Sequence, residues 1–372
     1  MEGFKLKYTK YGTKIGKDDK DVKYFENREV INVKELGSYF ESKAKIDLSA
    51  YKNIFDKFDQ HDNAFFRFPM NTFLSKEQLI QLTKDFFYRI DSNLYDQVDE
   101  FFRVGEDADL LLSDIIYKIE DFEDEGYARC LRTDTPADET FLQFDLEEIK
   151  DTDPETYAYF KKMSQPRTTM ILYMTRVGNI SDLYVLAHEL THYFILKESK
   201  ETGLLDETAP HCMERLVDDF LLSLTLEECK KYNFDRQKLD EDVLLRNIAT
   251  FAIRYYSVKK FNEKSEGNEN NAMEQEHLKY ILALLYQSKF IEFNKEQKNK
   301  KILELITSIR DNDFNRVNEI LGVDWNNKEK RYECIEKPIH DIKKIFETYR
   351  KMLINSQEKS VNILEKDEEE RE

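Results

Sequence analysis

Residues Leu183 to Ile195 read LYVLAHELTHYFI and contain His188, Glu189 and His192 in the order H-E-x-x-H. On a helix, side chains four apart lie one turn apart on one face, so both imidazoles can reach a single metal ion. Tetrahedral Zn2+ takes imidazole nitrogens at about 2.0–2.1 Å. Glu189, one position after the first histidine, sits beside such an ion without ligating it. A carboxylate there takes a proton from water and passes it to a leaving amine. With six histidines in the chain, a random H-E-x-x-H is expected on the order of once in a hundred such sequences. The surrounding Leu183, Val185, Leu186, Leu190, Phe194 and Ile195 are apolar, so the helix is expected to be largely buried. A buried imidazole pair costs free energy unless it is bonded or metallated.

A third ligand is needed. The pattern H-E-x-x-H-x-x-G-x-x-H is not met, because Ile195 stands at the Gly and Glu198 at the last His. Downstream, Glu207 follows His192 by 15 residues and Glu214 by 22. If the first helix runs to about Glu201 with Gly203 as its stop, it extends roughly 15 Å past His192. An antiparallel return helix, capped by Asp206 or Thr208 and tolerating Pro210 in its first turn, then brings Glu214 level with the metal. Glu214 is therefore the first candidate and Glu207 the second, with His211 as a third option. Asp218, one turn after Glu214, is placed to accept the second ring N–H of a liganding histidine.

These residues resemble the gluzincin metallopeptidases. YVLAHELTHYFI, preceded by ILYMTRVGNISD, is similar to the active-site segment of thimet oligopeptidase and oligoendopeptidase F. MERLVDDFLLSL, with Glu214 and Asp218, resembles the E-x-x-x-D helix of thermolysin and angiotensin-converting enzyme. A rival phasing matches Glu207, Glu214, Leu216, Asp219, Phe220, Leu221 and Leu222 to oligoendopeptidase F, which implies Glu207 as ligand across a shortened loop. AHELTH followed by Glu214, Arg215, Asp218 and Phe220 also resembles compact metallopeptidases that cleave phage repressors. The likeness covers about residues 165–225, and the Gly-rich oxyanion segment of the oligopeptidases is missing. EHLKYILALLYQSKF is its nearest equivalent, which implies His277 and Tyr280 or Tyr286 as oxyanion-binding groups. The competing reading of that stretch is an aromatic-rich core helix.

The elements that must position these groups are mostly helical. Ten Gly and six Pro in 372 residues leave few breakers. Ser75 and Gln78 form a candidate capping box at the head of a helix carrying Leu79, Leu82, Phe86 and Ile90. DADLLLSDIIYKIEDFEDEG is expected to be helical with Gly126 as its C-cap. YARCLR and TFLQFD, around the turn-rich TDTPADE, are expected to form a hairpin. RTTMILYMTRVG is expected to be a strand leading into the motif helix. The fold class is thus mainly α, with a small antiparallel β-sheet beside the H-E-x-x-H helix. The expected organisation is a mostly helical region at 1–126 and a zinc metallopeptidase core with the sheet at 127–261. A helical region at 262–356 and a disordered acidic tail at 357–372 follow.

Net charge is −18, from 57 basic and 75 acidic residues. No basic surplus exists to displace counterions, which argues against nucleic acid and anionic membrane surfaces. Four cysteines without a C-x-x-C pair indicate no disulfide framework. With no leader-like segment and no long apolar run, the expected location is the cytoplasm. Together these readings predict one Zn2+ ion, Glu189 as general base then acid, and a peptide or protein substrate. The substrate is expected to add as a strand to an exposed edge near 168–176. Two alternatives are a protease dedicated to one protein target and a zinc-stabilised binding module without turnover.

Overall fold

The computed structural model describes residues 70–105, 113–121, 128–138, 150–199, 203, 205–247, 250, 271–324 and 340. Expectations for 1–69, for the TFLQFD arm of the hairpin and for the acidic tail lie outside the described residues. Helices α1 (Lys76–Ile90) and α2 (Ser92–Val104) come first, followed by strands β1 (Ile115–Asp121) and β2 (Ala128–Thr135). Then come α3 (Pro154–Met163), β3 (Arg167–Arg176), α4 (Ser181–Leu196), α5 (Thr208–Leu222) and α6 (Leu226–Lys231). A helix at 236–247, α7, precedes α8 (Asn271–Phe290), α9 (Lys295–Arg310) and α10 (Phe314–Leu321). The molecule is mainly helical with one small sheet, as the sequence predicts. Among the described residues no helix is long and apolar enough to cross a membrane.

Local chemistry explains the helix starts. Ser75 and Gln78 form the reciprocal capping box that opens α1. Thr225 with Glu228 and Asn294 with Gln297 do the same for α6 and α9. Asp153 caps α3, with Pro154 in its first turn.

The stretch expected to be helical up to Gly126 holds a strand instead. IIYKIED buries Ile116, Tyr117 and Ile119 and turns Lys118 outward. A short apolar run rich in β-branched and aromatic residues fits a strand as well as a helix, and here sheet pairing decides. Gly105 lets β1 pass close to α2, since a Cβ there would lie 2.9 Å from Tyr117 Cδ1 and from Phe101 O. Strand β1 comes from the region assigned by sequence to an N-terminal helical unit, yet it belongs to the same sheet as β2 and β3.

The strand order is β1-β3-β2. β1 pairs parallel to β3 and β2 pairs antiparallel to it, with Tyr117 and Cys130 both opposite Leu172. The sheet is therefore mixed, because the long connection between β1 and β3 permits a parallel pairing that a tight hairpin would not. β3 is also the central strand, so 168–176 offers no free edge. Its buried Met170, Leu172 and Met174, two residues apart, line one buried face of the sheet.

Helix α4 packs on β2, β3, α1, α5 and α9. Fourteen of its sixteen residues are buried, and the two exceptions are His188 and His192. Edge-to-face pairs tie it to its surroundings: Phe194 meets Phe87 at 5.5 Å and Tyr193 meets Phe101 at 5.0 Å. Phe86 meets Phe220 of α5 in the same way, at 5.5 Å. The histidines thus stand on rigid, close-packed scaffolding.

Candidate metal centre

The turn from β3 into α4 is fixed by Asp182. Its carboxylate accepts the N–H groups of Val177, Gly178 and Asn179 at 3.0, 2.7 and 3.2 Å. Gly178 takes φ +79° at this turn, a region that favours glycine. Burial pushes the Asp182 carboxyl up to about 6, against the pull of these N–H groups and of Arg176. The far end of α4 is closed by Arg132 of β2, whose Nη1 donates to the carbonyls of Leu196, Lys197 and Ser199 at 3.0–3.2 Å.

That closure ends the helix at Leu196, five residues before the expected stop near Glu201. The chain returns sooner, and α5 begins with Glu207 as its N-cap residue. Glu207, not Glu214, therefore comes level with the histidines. Its Oε2 lies 3.2 Å from His188 Nε2 and 3.8 Å from His192 Nε2. The two Nε2 atoms are 3.2 Å apart. Glu214 sits behind His188, with Oε1 2.9 Å from Nδ1. Both glutamates singled out by sequence thus meet His188, Glu207 at Nε2 and Glu214 at Nδ1, and the His188–His211–Glu214 cluster is a second set of donors within reach of one another.

Three donor atoms on a tetrahedral zinc are spaced by about 3.3 Å, the edge set by bonds of about 2.0–2.1 Å. The spacings of 3.2, 3.2 and 3.8 Å match that edge. Glu207 Oε2 is buried and makes no hydrogen bond in good geometry. An anionic oxygen left in that state is costly unless a cation sits against it. The donor set and its orphaned oxygen therefore fit a divalent ion. Burial works against the charge on Glu207, but the two imidazoles override it and hold the carboxyl well below its ordinary range. Burial likewise opposes a charged His188, yet Glu207 and Glu214 together raise it to about 10. The cluster calls for positive charge, which a proton or a metal ion can supply.

Glu189 is buried at the edge of this cluster and accepts the backbone N–H of Cys130 in β2. Burial raises its pKa, which favours a group that must take up a proton. The outer edge of β2 thus runs beside the glutamate of the motif.

The other candidates divide. Asp218 does not reach a histidine: Tyr184 donates to it at 2.7 Å and Arg215 pairs with it at 2.9 Å. This corrects its expected role, because the shorter α4 shifts α5 and leaves Glu214 at the imidazole. Tyr280 lies near the cluster, its ring 6.2 Å from that of His211. Tyr286 is fully buried and donates to Asn318 at 2.6 Å, so its hydroxyl is committed within the core. The side chain of His277 lies outside the described residues.

Sequence reasoning gave His211 little weight and missed Arg246. His211 is 2% exposed, with Nδ1 3.2 Å from Glu214 Oε1 and Nε2 3.9 Å from Glu207 Oε2. Arg246 is fully buried, lies 3.7 Å from Glu214 Oε2 and stacks over Tyr184. A cation among Leu244, Leu245, Ile248 and Phe251 was the available signal. Lys279 pairs with buried Asp206 at 2.8 Å, anchoring the approach to Glu207 onto α8.

No protein-family model matches the chain, and no curated protein does. Two crystal structures share weak similarity with it. One is described as a peptidase from Chlamydophila abortus, with 14% identity and a TM-score of 0.38. The other is described as an oligoendopeptidase F from Bacillus anthracis str. Ames, with 14% identity and a TM-score of 0.40. Each comparison covers 87% of this chain and 56% of the other, so the chain spans just over half the length of those proteins.

Proposed function

We propose that the chain is a zinc-dependent metallopeptidase that hydrolyses peptide bonds. The observation that carries this reading is the convergence of His188 Nε2, His192 Nε2 and Glu207 Oε2, with the Glu189 carboxylate alongside. In this reading those three side chains hold the ion. Zinc, when bound, supplies a Lewis acid that polarises a carbonyl and acidifies water.

The chain's own residues do the rest. Glu189 takes the proton from the attacking water and returns it to the departing amine. Glu214, which can only accept, keeps the proton of His188 on Nδ1 and so presents the Nε2 lone pair forward. Arg246 offsets the charge of Glu214 inside the core. A substrate in extended form adds to the outer edge of β2, next to Glu189, rather than to β3. Tyr280 is the aromatic hydroxyl from the oxyanion candidates that remains near the cluster.

Peptide turnover by the purified protein, before and after chelation and again after zinc is restored, tests the reading. Activity that disappears with the metal and returns with it supports the proposal. Turnover indifferent to chelation refutes it. A dedicated protease is the second reading, and low exposure of the site favours it: His188, His192 and Glu207 side chains are 14, 13 and 14% exposed. Silence on a library of short peptides, relieved by one protein partner, would select it.

A further inference from the structure

We propose that Lys279 is a positioning residue for Glu207, acting through Asp206, an inference that rests on the zinc reading above. Lys279 Nζ of α8 lies 2.8 Å from Asp206 Oδ2, and both residues are buried. Asp206 directly precedes Glu207. Its backbone sits in the tight turn that leads into α5. There the Asp206 N–H donates to the carbonyl of Gly203 at 3.2 Å, and the Thr208 N–H donates to that of Leu205 at 2.9 Å. The ion pair therefore holds the chain one peptide unit away from the donor carboxylate.

Local structure alone does not fix this helix start. Glu207 is the N-cap residue of α5, yet no side chain caps the helix there, whereas α1, α6 and α9 open on capping boxes. Glu207 Oε2 makes no hydrogen bond in good geometry, so its place depends on the backbone that carries it. Helix α8 supplies the restraint from outside. Besides the Lys279 pair, Gln287 donates to the backbone carbonyl of His211 in the first turn of α5 at 2.9 Å. A buried ion pair adds little net stability, because desolvation offsets its attraction; what it can add is a defined register between the elements it joins. Here those elements are α8 and the start of α5, and the register bears on where Glu207 meets His188 and His192 at 3.2 and 3.8 Å. Lys298 of α9 pairs with Asp219 of α5 at 2.7 Å, twelve residues beyond Glu207, and provides an internal control of the same chemistry.

The test measures zinc affinity by chelator competition, and stability by denaturant unfolding, in the native chain, Lys279→Met, Asp206→Asn, their double variant and Lys298→Met. Both single variants at the Lys279–Asp206 pair are expected to lose about 10–100-fold in zinc affinity. The double variant should lose about as much as either, and Lys298→Met should keep the native affinity. A charge effect alone would move the two single variants in opposite directions, since loss of a nearby cation favours bound Zn2+ and loss of a nearby anion disfavours it. A purely structural role would make affinity follow stability, so that the double variant, with no buried charge left unpaired, recovers both. The double variant therefore keeps the test open where a single variant does not fold. Tighter or unchanged zinc binding in Lys279→Met, native affinity in the double variant, or an equal loss in Lys298→Met would overturn the assignment while leaving the zinc reading intact. A native protein that takes up no zinc would instead remove the zinc reading itself, and this assignment with it.

Discussion

Glu214 and Glu207 hold opposite faces of one imidazole: Glu214 Oε1 is 2.9 Å from His188 Nδ1, and Glu207 Oε2 is 3.2 Å from Nε2. Burial opposes a charge on this ring, yet the two carboxylates raise its pKa to about 10; in the proposed reading a metal ion would take the place of the Nε2 proton while Glu214 goes on accepting from Nδ1. In that reading Glu207 is the ligand and Glu214 the supporting acceptor, and the predictions about metal retention follow from that division.

Glu189→Gln keeps the shape of the side chain and removes the base. The variant is expected to bind zinc like the native chain and to lose at least about 100-fold in peptide turnover. Metal analysis and a peptide assay on the same preparation check both halves. Full turnover in the variant contradicts the assignment of the base. Metal binding with no turnover in either protein identifies the centre as structural.

Arg132→Met removes the cap from the end of α4 while retaining an unbranched stem. Charge-assisted bonds to three carbonyls are lost, and the expected cost is about 3 kcal/mol of stability. Denaturant unfolding measures it. The variant should also bind zinc more weakly, because the position of Glu207 depends on where α4 stops. Unchanged stability and unchanged affinity would show that the helix end is set elsewhere.

Asp182 links stability to pH. Its folded carboxyl, raised mainly by burial, titrates at about 6, above the ordinary 3.8. Between those values the folded state keeps a proton that the unfolded chain releases. The stabilisation is therefore fully present below 3.8 and is lost as pH rises through about 6. The two-unit gap corresponds to about 3 kcal/mol. Unfolding of native and Asp182→Asn proteins between pH 4 and 7 should give a stability difference that changes by about that amount. A difference that stays flat across the window contradicts it.

Much of the site was legible because it is local. The i, i+4 histidines, the intervening glutamate, the capping box at Ser75 and the buried character of α4 depend on neighbours within a turn or two. What the sequence hid depends on distant contacts. The end of α4 is closed by Arg132, 64 residues before Leu196, and where the helix stops bears on where Glu207 meets the two histidines. The central place of β3 depends on β1, a segment whose apolar run also suited a helix. His211 and Arg246 gained their roles only when α5, α7 and α8 closed around Glu214.

Zinc content of Glu207→Ala and Glu214→Ala, measured beside the native protein after dialysis against a weak chelator, tests the central claim most directly. The account predicts a full complement of one zinc per chain in the native protein and essentially none in Glu207→Ala. Glu214→Ala should retain zinc with affinity lowered by about 10–100-fold. A native protein without zinc, or a Glu207→Ala variant that holds it as tightly as the native chain, would contradict the account.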